Sequence, residues 1–281
     1  MVMERFDVQR HLLGPLLTYG LWSWSANVFR PAQLMKSLGL YRPNTLGQPP
    51  APRRLAGGGP GVSRTLAAPL LLDKPPGHYD SVVEFDHCSD DYEAAVRPFS
   101  QPVFDELVGL LLNHLVPDAR ILDPSCGPGV EAITLARLVP DGEVVAADLS
   151  RGMVETAWRN ARSAGVSNMA FVQADVGDPP ALFDGYFDAI SCCLAFHHYP
   201  DGAAAVRAFR RMLRPGGMAF VADPGPKWFN DMSKAWAKLA DPGFVQHRTG
   251  VDFQALFRQA GFADVYWIEA LPGIGITVAS T

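Results

Sequence analysis

From about residue 80 onward, short apolar runs alternate with stretches of helical periodicity, and this alternation restricts the possible folds more than any other feature. ARILD (119–123), GEVVAAD (142–148), MAFVQAD (169–175), YFDAISCCL (186–194) and MAFVAD (218–223) read as buried strands. Helices fall between them. One covers residues 129–139 and stops at Pro140 and Gly142; one is N-capped by Ser150 and ends at Gly165. Another opens at Asp201 and ends near Leu213, with RPGG as its stop, and a fourth covers 252–260 before Gly261. Residues 101–115 precede the first strand as a helix, with Val103, Leu107, Leu110, Leu111 and Leu115 on one face. The last two strands, VYWIEAL (265–271) and IGITVAS (274–280), are joined only by Pro272-Gly273. A parallel crossover needs about a dozen residues or more, so these two must form an antiparallel hairpin. The expected fold is α/β: a mostly parallel, seven-stranded sheet with helices on both faces and a C-terminal antiparallel hairpin. Ligands of such sheets sit beyond the carboxyl ends of the strands.

Upstream the pattern changes. Residues 1–42 read as an aromatic-rich helical arm carrying Trp22 and Trp24, suited to a lid or a homo-oligomer contact. Residues 43–79 read as a linker; its first 34 residues hold eight prolines and five glycines. The folded domain is expected over 80–281, with a lid insertion at about 225–250 rich in Trp228, Phe229, Trp236 and Phe244. Residues 12–29 run 18 positions without a charge, but Gly14, Pro15 and Gly20 interrupt them, and no stable membrane insertion is expected.

The formal net charge of −5 argues against a nucleic-acid partner, which would call for a basic field. Cys88, Cys126, Cys192 and Cys193 show neither CxxC spacing nor a disulfide framework, and a cytoplasmic setting follows. The histidines show no zinc-binding spacing, so no metal is expected.

Three strand ends carry ligand-suited residues. After the first comes Asp123-Pro-Ser-Cys-Gly-Pro-Gly129, whose glycines admit close approach of a ligand; Gly127 to Ala132 also fits G-x-G-x-x-A, a dinucleotide-binding pattern. After the second comes Asp148, 19 residues past Gly129, where a carboxylate can accept two ribose hydroxyls or serve as a helix N-terminal charge. After the third comes Asp175-Val176, able to accept an adenine amino group or to close a surface turn.

Taken in order, LDPSCGPG, VVAADLS, FVQADVGDPP, FDAISCCLAFHHYPD and RMLRPGGMAFVADP resemble the motifs of class I S-adenosylmethionine-dependent methyltransferases, in particular the small-molecule enzymes of quinone and natural-product pathways. FDHCSDDYEAAVRPF (85–99) is similar to that family's leading segment. The resemblance implies a Rossmann-like sheet, S-adenosyl-L-methionine as cofactor and S-adenosyl-L-homocysteine as product. It implies that Asp123, Ser125, Gly127 and Gly129 hold the methionine part, Asp148 and Leu149 the ribose, and Asp175 and Val176 the adenine. It places Phe85 and Tyr92 as covers and Cys193 beside the sulfonium. Ser125 stands where the family usually has glycine, and fits if its φ is not positive.

A methyl on a sulfonium is already electrophilic, so the protein must align, exclude water and, for some acceptors, remove a proton. His198 and His197 are the candidate bases. In an extended segment Phe196 and His198 would share a side, which favours His198. His78, Tyr79, Asp91, Asp223 and His247 are further candidates. The aromatic residues favour an apolar acceptor, and the resemblance implies a small molecule, in keeping with secondary metabolism. An NAD(P)-dependent oxidoreductase and a cofactor-binding protein of non-methylating chemistry remain alternatives at this point.

Overall fold

The computed structural model describes residues 44–50, 66–72, 82, 85–86, 92–225 and 243–281. The arm 1–42, His78, Tyr79, Asp91 and most of the lid insertion, with Trp228, Phe229 and Trp236, lie outside the described residues. The elements in chain order are β1 (Thr45–Leu46), α1 (Tyr92–Leu111), β2 (Arg120–Asp123), α2 (Val130–Leu138), β3 (Glu143–Asp148), α3 (Arg151–Ser163), β4 (Met169–Gln173), β5 (Phe187–Cys193), α4 (Gly202–Met212), β6 (Leu213–Pro224), α5 (Gly250–Gln259), β7 (Asp264–Leu271) and β8 (Ile274–Ser280). They build one sheet in the order β1-β7-β8-β6-β5-β2-β3-β4.

The sheet is α/β with parallel pairing from β4 through β6, and antiparallel pairing of β6 with β8, β8 with β7 and β7 with β1. Successive residues send side chains to opposite faces. Ile121 and Val144 enter a core with Leu107 and Val154, whereas Leu122 and Val145 join Phe209, Phe253 and Phe257 on the other side. Burial on both faces explains why these strands read as continuous apolar runs. The chain reverses direction across the sheet between β2 and β5, so a crevice opens at their carboxyl ends.

Four expectations need correction. The sheet has eight strands, because Thr45 and Leu46 of the expected linker pair with Ile268 and Trp267. At the opposite edge Leu70 bridges Val172 of β4, its N–H donating to Phe171 O at 2.9 Å and its carbonyl accepting from Gln173 N at 2.8 Å. Proline-rich chain can lie on a sheet edge because an edge leaves half of its donors unpaired in any case. α1 begins at Tyr92 instead of residue 101 and runs through Pro98 and Pro102, positions that lose a backbone donor but keep helical φ. β6 begins at Leu213, so RPGG lies within a strand whose pairing shifts register between Phe187 and Ala189. Finally, α5 begins at Gly250: Thr249 is its N-cap, and Asp252 is not the start but the N3 partner in a reciprocal capping box.

No helix of the described residues is long and apolar enough to cross a membrane. The Thr249 side chain accepts from Asp252 N at 3.2 Å while Asp252 Oδ2 accepts from Thr249 N at 2.8 Å. Thr249→Ala should therefore lower unfolding stability by about 1 kcal/mol, read as a shifted urea midpoint with unchanged slope.

Candidate active site

A cavity of about 320 Å³ opens at the carboxyl ends of β2, β3, β4 and β5, a size suited to a small ligand. Its floor is the turn after β2. Cys126 N donates to Ala147 O of β3 at 2.8 Å, Asn160 Nδ2 of α3 donates to Pro128 O at 2.9 Å, and Gly127 N donates to Asp148 Oδ2 at 2.9 Å. Gly127 has φ 51°, and a Cβ there would meet nothing within 4 Å. Gly129 has φ 84°, and a Cβ would come within 2.8 Å of the Ala157 Cβ. The first glycine therefore opens the cleft, whereas the second admits close packing of α3. Gly129 and Asp123 are not among the lining residues. Asp123 is buried behind the wall, where its carboxylate accepts from Ser125 N at 3.4 Å. Burial, reinforced by the charge of Glu131, pushes its pKa well above the ordinary carboxylate range.

Ser125 lines the cleft without a positive φ. Its hydroxyl shares a 2.7 Å hydrogen bond with the Tyr199 hydroxyl, which also approaches Cys192 Sγ at 3.5 Å. Tyr199 lines the cleft as well and was not visible as a site residue from sequence. Cys126 and Cys193 are lining residues whose thiols burial pushes well above their usual pKa, so they present neutral sulfur and not a nucleophile.

Asp148 joins two turns. While Oδ2 takes Gly127 N, Oδ1 takes Ser150 N at 2.9 Å. Burial raises its pKa to about 6 against the opposing pull of these backbone donors, and the charge of Asp86 adds to the rise. Asp86 is a second residue missed from sequence: it accepts from Ser150 Oγ at 2.5 Å and from Gly152 N at 2.9 Å. Leu149 lines the cleft while its carbonyl accepts from Gln173 Nε2 at 3.1 Å. Asp175 and Val176 line it from the end of β4, Asp175 Oδ1 accepting from Gly177 N at 2.8 Å.

Beyond β5 the backbone is unusual. Leu194 has φ 52°, the one non-glycine positive value among the described residues, and it lines the cleft. Phe196–His198 is a 3-10 turn, not an extended segment. In such a turn residues two apart do not share a side. Phe196 is instead fully buried against Tyr199, Phe209 and Phe253. His198 lines the cleft and meets the Phe85 ring edge-on, 5.2 Å between centroids. His197 lies outside the lining, its Nδ1 donating to the buried Asp223 Oδ1 at 2.7 Å. Its ring neighbours His247 at 5.6 Å. The structure thus brings Phe85, Ser125, Gly127, Asp148, Leu149, Asp175, Val176, Cys193 and His198 to one cleft and leaves Asp123, Gly129 and His197 behind it. Tyr92 is the first residue of α1, and its side chain lies outside what the structure describes.

Residues 121–217 match the family model described as a methyltransferase domain. A ubiquinone biosynthesis O-methyltransferase of Albidiferax ferrireducens is 31% identical over 162 residues, covering 56% of this chain and 63% of that protein. The uncharacterized methyltransferase YcgJ of Bacillus subtilis is 30% identical over 151 residues, covering 52% and 58%. Its crystal structure superposes with a TM-score of 0.52 at 28% identity, over 57% of this chain and 69% of that one. Residues 121–217 are thus similar to a methyltransferase domain, and the fold is that of S-adenosylmethionine-dependent methyltransferases. A methyltransferase of Aquifex aeolicus shares the fold at a TM-score of 0.53 and 18% identity, over 70% of this chain and 97% of that one. The match spans less than two thirds of either curated relative, at 63% and 58% of their lengths.

The cofactor of these methyltransferases is S-adenosylmethionine. The cleft residues fit it by the chemistry of their groups: carboxylates at two consecutive strand ends suit hydroxyl and amino donors, and the open space at Gly127 admits a ligand against the backbone. The two glycines of the methyltransferase loop should therefore separate by experiment. Gly129→Ala should lower unfolding stability by about 2 kcal/mol through strain and contact with Ala157. Gly127→Ala should cost about 1 kcal/mol of stability yet weaken S-adenosylhomocysteine roughly tenfold or more by calorimetry.

Proposed function

We propose that the chain transfers a methyl group from S-adenosylmethionine to a small, largely apolar acceptor in a biosynthetic pathway. The observation that carries this reading is the single cleft joining Asp148 and Asp175, at consecutive strand ends, to the His198–Phe85 pair. Asp148 accepts the ribose hydroxyls, with Leu149 beneath, and Asp175 and Val176 receive the adenine. Ser125, Cys126 and Gly127 face the methionine part, and Cys193 lies toward the reacting end. Val82, Phe85 and Leu194 supply apolar wall, which excludes water and suits an apolar acceptor. The ubiquinone-pathway O-methyltransferase among the relatives supports a small-molecule acceptor. Among the described residues, the free thiols of Cys126, Cys192 and Cys193 suit a reducing cytoplasm.

The cofactor, when bound, supplies a methyl group made electrophilic by its sulfonium. The chain's part is to hold, align and dehydrate. His198 takes the proton where the acceptor is a hydroxyl, amine or acidic carbon, and His197, held by Asp223, keeps the turn in place. Loss of a general base lowers rates by about 10²–10⁴-fold. His198→Ala should show that loss in turnover with S-adenosylhomocysteine affinity unchanged, while His197→Ala should act through stability.

The direct test incubates the chain with S-adenosylmethionine and a panel of hydroxylated apolar aromatics, following S-adenosylhomocysteine and acceptor mass. One added methylene per acceptor is expected. Bound nicotinamide cofactor, or turnover with no mass change, would overturn the reading.

Asp148 also gives the site a pH signature. Its folded pKa of about 6 lies above the usual carboxylate value. In the unliganded protein its contribution to stability is fully present below about pH 4 and is lost as pH rises through about 6. Hydroxyl donors favour the charged form, so binding S-adenosylhomocysteine near pH 5.5 should release a proton, seen as heats that vary with buffer ionisation enthalpy. Asp148→Ala should abolish that release and weaken binding roughly 10- to 100-fold.

A further inference from the structure

Phe85 and Asp86 are neighbours in sequence, one facing the cleft and the other bonded to the N-terminus of α3. Phe85 lines the cleft and sets its ring at 87° to His198, with centroids 5.2 Å apart. Asp86 is exposed, and its Oδ1 accepts from Ser150 Oγ at 2.5 Å and from Gly152 N at 2.9 Å. The same Ser150 hydroxyl accepts from Met153 N at 3.1 Å, and Ser150 N donates to Asp148. One serine thus joins two carboxylates, one of them lying 64 residues earlier in the chain. Placing a second negative charge near Asp148 is unfavourable by itself. The exposed N-terminus of α3 and two charge-assisted hydrogen bonds offset that repulsion. An exposed aspartate adds little to the core, so the consequence of this contact lies in where it fixes the adjoining Phe85.

We propose that Asp86 is a positioning residue for cofactor retention: docked on Ser150 and Gly152, it holds Phe85 across the cleft beside His198. The inference rests on the methyltransferase reading, since the ligand retained is S-adenosylmethionine. Asp86 is not among the lining residues, and its effect on the cleft runs through Phe85. A residue that keeps a cover in place slows ligand escape and leaves encounter nearly unchanged. It also keeps water from the sulfonium, which the transfer requires.

The test is the S-adenosylhomocysteine dissociation rate by stopped flow, on the full chain and on Asp86→Ala, Asp86→Asn, Phe85→Ala and the Phe85→Ala/Asp86→Ala pair. Asp86→Ala should raise dissociation about tenfold with association unchanged. Asp86→Asn keeps an acceptor oxygen and should raise it less, and it carries the comparison should Asp86→Ala fail to fold. The double variant should match Phe85→Ala alone, because the first residue acts through the second. Additive effects, or wild-type dissociation in Asp86→Ala and Asp86→Asn, overturn the proposal. A wild-type chain that binds no S-adenosylhomocysteine removes the methyltransferase reading and this inference with it. Binding by wild type with no Asp86 effect removes the inference alone.

Discussion

The candidate site depends on one carboxylate. Asp148 ends β3, and its two oxygens take backbone N–H groups from two different turns, Gly127 after β2 and Ser150 before α3. Parallel pairing of β2 with β3 brings the two turns side by side, with Asp123 opposite Ala146 and Asp148 two residues further on. Without an acceptor between them, the Gly127 and Ser150 N–H groups would lose the partner they share. Burial of the charge is costly, as its raised pKa of about 6 records. The backbone donors reduce that cost without removing it. A ligand bringing further donors would complete what the apo fold leaves partly solvated.

The cleft has two unlike walls. The floor belongs to the sheet and is cross-tied by Cys126 N to Ala147 O and Asn160 to Pro128 O. The other wall comes from Val82, Phe85, Arg97 and Ser100, chain that lies between β1 and β2. Methyl transfer from a reactive donor asks for alignment and dryness more than for acid–base power. A rigid floor serves alignment and a docked cover serves dryness. The positive φ of Leu194, a lining residue between β5 and the His198 turn, is strain held at the cleft.

Much of this was readable in the sequence, for a physical reason. Strand ends are local features, so Asp148, Asp175 and Gly127 could be placed from apolar runs and the residues that stop them. The hairpin followed from the two-residue gap at Pro272-Gly273. What stayed hidden depends on approach between distant segments: the Ser125–Tyr199 hydroxyl pair spans 74 residues, and Asp86 reaches Ser150 across 64. Three residues, Phe196–His198, carry too little pattern to separate their 3-10 turn from an extended segment. Apolar spacing marks the helix only from residue 101, whereas α1 starts at Tyr92 and runs through Pro98 and Pro102, with Val103, Phe104 and Leu107 buried.

The chain between β1 and β2 is more than a tether, and its contacts bear on the same carboxylate. Leu72 N donates to Gln173 Oε1 at 3.2 Å, and Gln173 Nε2 donates to the Leu149 carbonyl at 3.1 Å. Asp86, a short distance further along the chain, caps α3 through Ser150 and Gly152. The turn 148–150 is thereby gripped from both sides by one preceding stretch, at the β4 edge through Gln173 and at the α3 N-terminus through Asp86. Neither grip uses an apolar core, so neither could hold the turn without the Asp148 bonds beneath it. Each bond is individually modest, at about 1 kcal/mol net. Together they restrict the geometry of a turn whose carboxylate has to meet its ligand within hydrogen-bond tolerance.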